Sequence, residues 1–483
     1  MIPQKQLSLA DIYSDCKTFL DDNKPKFLSL LETNINLYEF IPISFFNHYY
    51  SYTGRPRKYP LTAMLWALII QRIFSIPTDS LLIVFLKYSK DLREFCGFTK
   101  VPDASKFTRF KQDFLPDLQL MFGNLVDVTE PICQNINQEL ASMTVFDTSG
   151  IEAFVAENNP KFANRIIKQL KSYAKVMGFD KSYDPYKAAY GSMPSHAASN
   201  PEIKQLYING HFCYVFKFGI ITNGLGIVRS IDFYNKQFFN DHPEIVVGKK
   251  FDSPSEDKSI HDSRLLIPTL SDFFKKHPLI NPKYFLGDAA FDSAGIYKFL
   301  FQELHFEKAF IPLNQRAKLE NKDYEVNGDG IPCCPHDSSL LMKYEGTSKL
   351  KSGIIRYKFV CPKIRWQKKD NGKYHRVCQC DNPCTNSISG RMIHLYPEKD
   401  LRTYPGTLRG TEEWDNTYKI RAVVEKTIYQ FKDNFCIAGR RTQNEKTLHA
   451  DLLLSGITQL ITVVLADTIH KHEYIRSLKP LIA

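Results

Sequence analysis

Tyr418, Arg421, Glu425 and Lys432 bring a phenol, two cations and a carboxylate into one stretch, YKIRAVVEKTIYQFK, whose periodicity predicts a helix. At about 100° per residue the four fall within an arc of roughly 60°, on one face. A guanidinium grips phosphate bidentately, an ammonium adds a point charge, and a phenol donates a hydrogen bond or stacks. The same spacing also permits an ordinary Arg421–Glu425 ion pair at i,i+4, and the pattern alone does not choose between the two. Two further acids have a suggestive setting: Asp147 in TVFDTSG and Asp288 in YFLGDAAFDS each end an apolar run and precede small residues. A strand ending in this way presents its acid to a cleft. Asp147, Asp288 and Glu425 together would suit Mg²⁺ or Mn²⁺, which favour hard oxygen donors. Two such ions about 4 Å apart activate a water or a 3′-hydroxyl and stabilise the leaving oxygen of a phosphodiester.

The elements that must position these groups fall into four segments. Residues 1–125 read as helical, with a basic arm, GRPRKYP, ahead of the apolar helix LTAMLWALIIQRIF. Arg55, Arg57 and Lys58 of that arm, and Arg109 with Lys106 and Lys111 in PDASKFTRFKQDF, are candidate DNA-backbone contacts. Asp103 or Ser105 would cap that last helix. Such a domain either binds DNA, helix-turn-helix being one form, or packs with its cations simply solvated. Residues 140–313 alternate strands and helices: the Asp147 strand, a hairpin turning at Asn223-Gly224, a helix from Asp262, the Asp288 strand, a helix capped by Ser293, and KAFIPLN. That order predicts an α/β fold whose mixed sheet has helices on both sides. Within it, a basic stretch from Asn158 to Ser199 mixes Lys161, Arg165, Lys168, Lys171 and Lys175 with tyrosines, a surface for phosphates and bases or else a solvated loop. Residues 314–410 read as a β-rich insertion, and residues 411–475 resume the α/β unit with the Glu425 helix and the long apolar LLLSGITQLITVVLA.

Composition narrows the class. A formal net charge of +11 over 483 residues favours a polyanionic partner without excluding a merely basic protein. No basic segment followed by a sustained apolar run opens the chain, and the two most apolar later segments suit buried helices, so the expectation is a cytoplasmic protein. Of the 11 cysteines, six lie between Cys333 and Cys384. Four of Cys333, Cys334, His336, Cys361, Cys378, Cys380 and Cys384 would suffice for a structural Zn²⁺ holding an insertion with little core of its own. Their irregular spacing leaves reduced, partly buried thiols as the other reading.

The Tyr418, Arg421, Glu425 and Lys432 spacing resembles, residue for residue, the Y-(2)-R-(3)-E-(6)-K signature of bacterial insertion-sequence DDE transposases. Asp147 and Asp288 look like their first and second catalytic aspartates, and GRPRKYP with VPDASKFTRF resembles the N-terminal domain often attached to them. The resemblance implies an RNase H-like catalytic core interrupted by an insertion between the second Asp and the Glu. It implies binding of the element's inverted ends, usually by a homodimer, with Mg²⁺- or Mn²⁺-dependent hydrolysis and 3′-hydroxyl attack on target DNA, in a nucleoid-associated protein when DNA-bound. Tyr418, Arg421 and Lys432 would then hold DNA ends. The Cys/His-rich insertion departs from the family. A metal-dependent nuclease of the same fold, or an inactive DNA-binding remnant, would share most of these features.

Overall fold

In the computed structural model, described for residues 8, 10, 25–51, 56–180, 182–208, 211–246, 249–250, 253–257, 260–314, 324–368, 372–397, 401–440 and 442–482, helices open the chain and a mixed sheet follows. Arg55 lies outside the described residues. The opening helices include α1 (Lys26–Asn34), α2 (Leu61–Ile73), α3 (Asp79–Tyr88), α4 (Ala104–Asp113) and α5 (Leu115–Ile136). Residues of α2 are buried on all sides, which explains why its apolar character has no polar stripe. Thr78 caps α3 by accepting from Leu81 N, and Asp103 rather than Ser105 takes the N-cap position of α4.

The sheet contains β1 (Met143–Glu152), β2 (Asn200–Ile208), β3 (His211–Thr222), β4 (Val228–Phe233), β5 (Tyr284–Leu286) and β6 (Lys308–Phe310). Its order is β2-β3-β1-β5-β6, with a short strand, His196–Ala197, outside β2, and with β4 on the same edge of β3 further along. β3 runs antiparallel to β1, whereas β5 and β6 run parallel to it and to each other. Both faces are covered, so the strands are apolar on successive residues rather than alternating. Val145, Ile220, Leu286 and Phe310 point into one core, and their neighbours Phe146, Ile221, Phe285 and Ala309 into the other. The second core is filled by α7 (Asp262–Lys276) and α8 (Ala294–Lys298), which Ser293 caps as its sequence predicts.

Between β1 and β2 lies α6 (Pro160–Met177), a helix that the basic, polar texture of the region hides in the sequence. The insertion is β-rich: β7 (Lys343–Lys349), β8 (Ile355–Val360) and β11 (Met392–Leu395) form one small sheet, and β9 (Ile364–Lys368) and β10 (Tyr374–Cys378) another. Its own core is small, built on Met342, Phe359, Ile393, Leu395 and Tyr404. It is pinned to the main sheet by Arg402, which donates to buried Asp292 at 2.7 and 3.0 Å, and by Ala309 N, which donates to Pro405 O at 2.9 Å. Gly406 follows with φ of 76°, and a side chain there would strike the Glu307 carbonyl.

The chain then returns through α9 (Glu412–Tyr418), α10 (Ala422–Tyr429) and α11 (Glu445–Thr468). α11 is long and apolar enough to cross a bilayer, but 94% of its most apolar window is buried inside the protein. It packs on α2, α4, α5 and β4, joining the opening helices to the sheet in one core that extends from Phe27 to Leu478. Buried charge accompanies this junction. Asp451 of α11 accepts from Arg72 at 2.7 Å and Lys111 at 2.9 Å, and Asp79 pairs with Lys111 at 2.9 Å and Arg440 at 3.2 Å.

Candidate active site

Register places the two aspartates side by side. Val145 of β1 pairs with Leu286 of β5, and Asp147 and Asp288 each lie two residues further on. Asp147 is still within β1 and shares the face of Val145, towards α10. Asp288 has left β5 and caps a 3₁₀ turn, Ala289–Phe291, by accepting from Ala290 N at 2.8 Å. Glu425 arrives from α10, which buries Val423, Val424, Thr427 and Ile428 against the sheet. Thr427 and Gln459 of α11 both donate to Gly226 O, at 2.9 and 3.2 Å, so the turn between β3 and β4 fixes the height of the Glu425 helix.

That helix is less regular than its sequence predicts. Lys419–Arg421 forms a 3₁₀ turn between α9 and α10, and Gln430–Asn434 forms a π turn that carries Lys432. Departures of this kind are common where a helix must aim side chains at a site. Arg421 and Lys432 nevertheless both reach β1. Lys432 Nζ donates to Ser149 Oγ of β1 at 2.8 Å, and Tyr418 stacks on Trp414 with ring centroids 6.1 Å apart.

Arg421 is the centre of the arrangement. Its Nη1 meets Glu425 Oε1 at 2.6 Å, and its Nη2 lies 3.5 Å from Asp147 Oδ2 and 3.9 Å from Asp288 Oδ2. The i,i+4 pair with Glu425 expected from spacing therefore exists, but it is one of three contacts. Burial works against the charge of Arg421, yet Asp147 and Glu425, followed by Tyr418 and Asp288, hold its pKa above the usual guanidinium value. Burial pushes the Asp147 carboxyl up to about 6, although Arg421 pulls the other way. Asp288 and Tyr418 are likewise raised, by burial first, and Lys432 is lowered by burial.

A fourth acid borders the group. Asp262, the first residue of α7, accepts from Thr148 Oγ1 at 2.7 Å and pairs with Lys217 of β3. Its sequence context, an acid opening a helix, is so ordinary that only its place at the start of that helix was readable.

The expected DNA contacts of the opening helices divide. Arg57 is exposed but donates to Tyr49 O at 3.1 Å and lies over the Tyr49 and Phe114 rings; Lys58 lies over Tyr59, and Arg109 is exposed. Lys111 is not a surface cation: it is buried in the Asp79–Asp451 network. No ion pair or hydrogen bond joins Arg57, Lys58 or Arg109 to the three carboxylates among the described residues.

The family pattern described as Transposase domain (DUF772) matches residues 15–113, and that described as Transposase DDE domain matches residues 251–461, a span containing Asp288 and Glu425. The chain belongs to the insertion-sequence DDE transposases. No curated protein matches this transposase in sequence. A cryo-EM structure of a piggyBac transposase synaptic complex with hairpin DNA is similar over 95% of this chain and 85% of that one, at 12% identity and a TM-score of 0.26, too low to bear on the fold.

DDE transposases are generally dependent on divalent metal. Three carboxylates fit that requirement chemically, as hard oxygen donors. They do not close round a common point, because the Arg421 guanidinium lies among them. Among the described residues no group of three or more His, Cys, Asp or Glu side chains is disposed to hold a metal ion. The zinc expectation therefore finds no support among the described residues. Four of its thiols are neighbours, Cys384 hydrogen-bonded to Cys334 and Cys361 to Cys378, with Cys334 also bearing on Cys361, whereas Cys333 Sγ donates to Ile331 O, Cys380 Sγ to Asn382 O, and exposed His336 contacts Asn382 O at 3.3 Å. Burial raises the Cys333, Cys361 and Cys384 thiols, which favours their protonated form.

Proposed function

We propose that this transposase binds the inverted ends of its element, hydrolyses phosphodiester bonds there, and joins the freed 3′-hydroxyl to target DNA. The observation that carries the reading is the convergence of Asp147, Asp288 and Glu425, from adjacent parallel strands and a crossing helix, on one guanidinium. The order β4-β3-β1-β5-β6, with the first three antiparallel and the last two parallel to β1, supports an RNase H-like core.

In this reading Asp147, Asp288 and Glu425 hold one or two Mg²⁺ or Mn²⁺ ions, which supply an activated nucleophile and stabilise the leaving oxygen. Lys432, held to β1 by Ser149, and Tyr418, stacked on Trp414, are pre-positioned beside the acids to meet a DNA end. Further out, the exposed cations of α6 and the exposed Arg57, Lys58 and Arg109 supply backbone contacts.

Asp147→Asn, Asp288→Asn and Glu425→Gln are each expected to reduce cleavage of an element-end duplex in Mg²⁺ or Mn²⁺ to background while duplex binding persists. Full cleavage by Glu425→Gln would remove that residue from the site. Strand transfer is tested separately, with a pre-cut 3′-hydroxyl end and a supercoiled target; cleavage with no joining would make the protein a nuclease instead.

A further inference from the structure

We propose that Arg421 is a built-in stand-in for the divalent cation, and that its exchange between the carboxylates and a DNA phosphate couples metal binding to DNA-end binding. The proposal rests on the function given above and adds a role to one of its residues.

The guanidinium has the position and the charge for this. It reaches three acids from three different elements, α10, β1 and the turn after β5, at 2.6, 3.5 and 3.9 Å. A helix-surface ion pair accounts for Glu425 alone; Asp147 and Asp288 come from the sheet, and the Arg421 side chain is only 17% exposed. Neither of the neighbouring cations does the same work. Lys432 is bonded to Ser149 Oγ, and Lys217 is drawn to Asp262 and Ile260 O. Without Arg421, three carboxylates would face one another with no cation among them.

A guanidinium in this place and a divalent ion on the same oxygens exclude each other, since the ion needs those lone pairs at about 2.1 Å. Arg421 must therefore swing out when metal is held. Its planar fork then matches phosphate bidentately. Among the described residues the buried Nε of Arg421 has no hydrogen-bond partner, so the fork is incompletely satisfied where it is. By linkage, a DNA phosphate that captures Arg421 raises the affinity for metal, and metal raises the affinity for that phosphate by the same factor. The ion-free protein is thus held in an inactive arrangement, its three acids partly offset by one guanidinium, until DNA is present.

The test measures Mn²⁺ binding to the full chain by electron paramagnetic resonance, with and without a blunt-ended duplex, for the wild type, Arg421→Gln, Arg421→Lys, Asp147→Asn, Asp288→Asn and Glu425→Gln. Wild type is expected to bind Mn²⁺ weakly alone and on the order of tenfold more tightly with duplex, within the usual range of coupling between sites. Arg421→Gln is expected to bind Mn²⁺ tightly without duplex and to lose the response to it; Arg421→Lys, which keeps the charge and not the fork, should fall between. In the ion-free state Arg421→Gln should also melt at a lower temperature, and Mn²⁺ should restore it. Equal or weaker Mn²⁺ binding by Arg421→Gln, with Glu425→Gln still impairing it, would overturn the stand-in role and leave the catalytic reading intact. Mn²⁺ binding that no substitution at Asp147, Asp288 or Glu425 affects would overturn both.

Discussion

Asp147 is the acid whose environment is most decisive. It sits within a strand covered on both faces, so desolvation outweighs the nearby guanidinium and moves its pKa up to about 6. A carboxyl raised in this way favours the folded state below its unfolded value of about 3.9, and that contribution is lost as pH rises through the folded value. Above about pH 6 the ionised Asp147 therefore costs stability, which is the condition for holding metal. Mn²⁺ affinity is expected to be flat above pH 7 and to fall by up to about tenfold per pH unit below 6 as protons compete for Asp147, which a titration from pH 5 to 8 would show. A flat affinity across that range would mean that Asp147 is not a ligand. That Asp147, Asp288 and Glu425 would come together was legible in the sequence because apolar runs lead into the first two and a helical face carries the third, although β1 continues past Asp147 to Glu152. The guanidinium among them was not: spacing reveals the i,i+4 partner of Arg421, whereas its two strand partners depend on which strands become neighbours.

At the scale of elements, α6 shows why a basic sequence can be misread. Its inward stripe of Phe162, Ile166, Ile167 and Leu170 is helical in period, but the cations between them give the region the composition of a solvated loop. Folded, the helix sorts the two classes. Lys161, Arg165, Lys168, Lys171 and Lys175 are all exposed and fall within an arc of roughly 120°, with no acidic residue in the helix. They cover about 21 Å along the axis, enough to follow several phosphates of a duplex. Replacing Lys161, Lys168 and Lys175 by Gln is expected to weaken duplex binding uniformly across sequences and to reduce the slope of log affinity against log salt by about 2–3. An unchanged slope would return α6 to a solvated face. The irregular turns of the Glu425 helix were equally hidden, since neither the 3₁₀ turn at Arg421 nor the π turn at Lys432 has a signature in local propensity.

For the whole molecule, the question is how the opening helices are coupled to the sheet that carries the acids. Their apolar faces were legible from period alone, and α2 and α11 are the buried helices that their composition predicts. What period cannot show is that Arg72 and Asp451, 379 residues apart, meet in the interior. Arg72, Lys111 and Arg440 surround Asp451 and Asp79 there, and the balance of charge is set by all five. Burial alone would raise the Asp451 carboxyl; Arg440, Lys111 and Arg72 reverse this and hold it far below the usual carboxylate range. A depressed carboxyl stabilises the fold above its unfolded pKa, and that stability is lost as pH falls through the folded value, so acid below about pH 4 should loosen this junction. Removing the side chain strands two or three buried cations on a single remaining acid, and breaking such a pair costs about 3–5 kcal/mol. Asp451→Ala is therefore expected to lower stability to urea by about that amount, with the opening helices and the sheet unfolding in one transition because they share the core around α11. Two separated transitions, with only the opening helices destabilised, would show that the network holds one part of the chain and does not couple it to the sheet that carries the three acids.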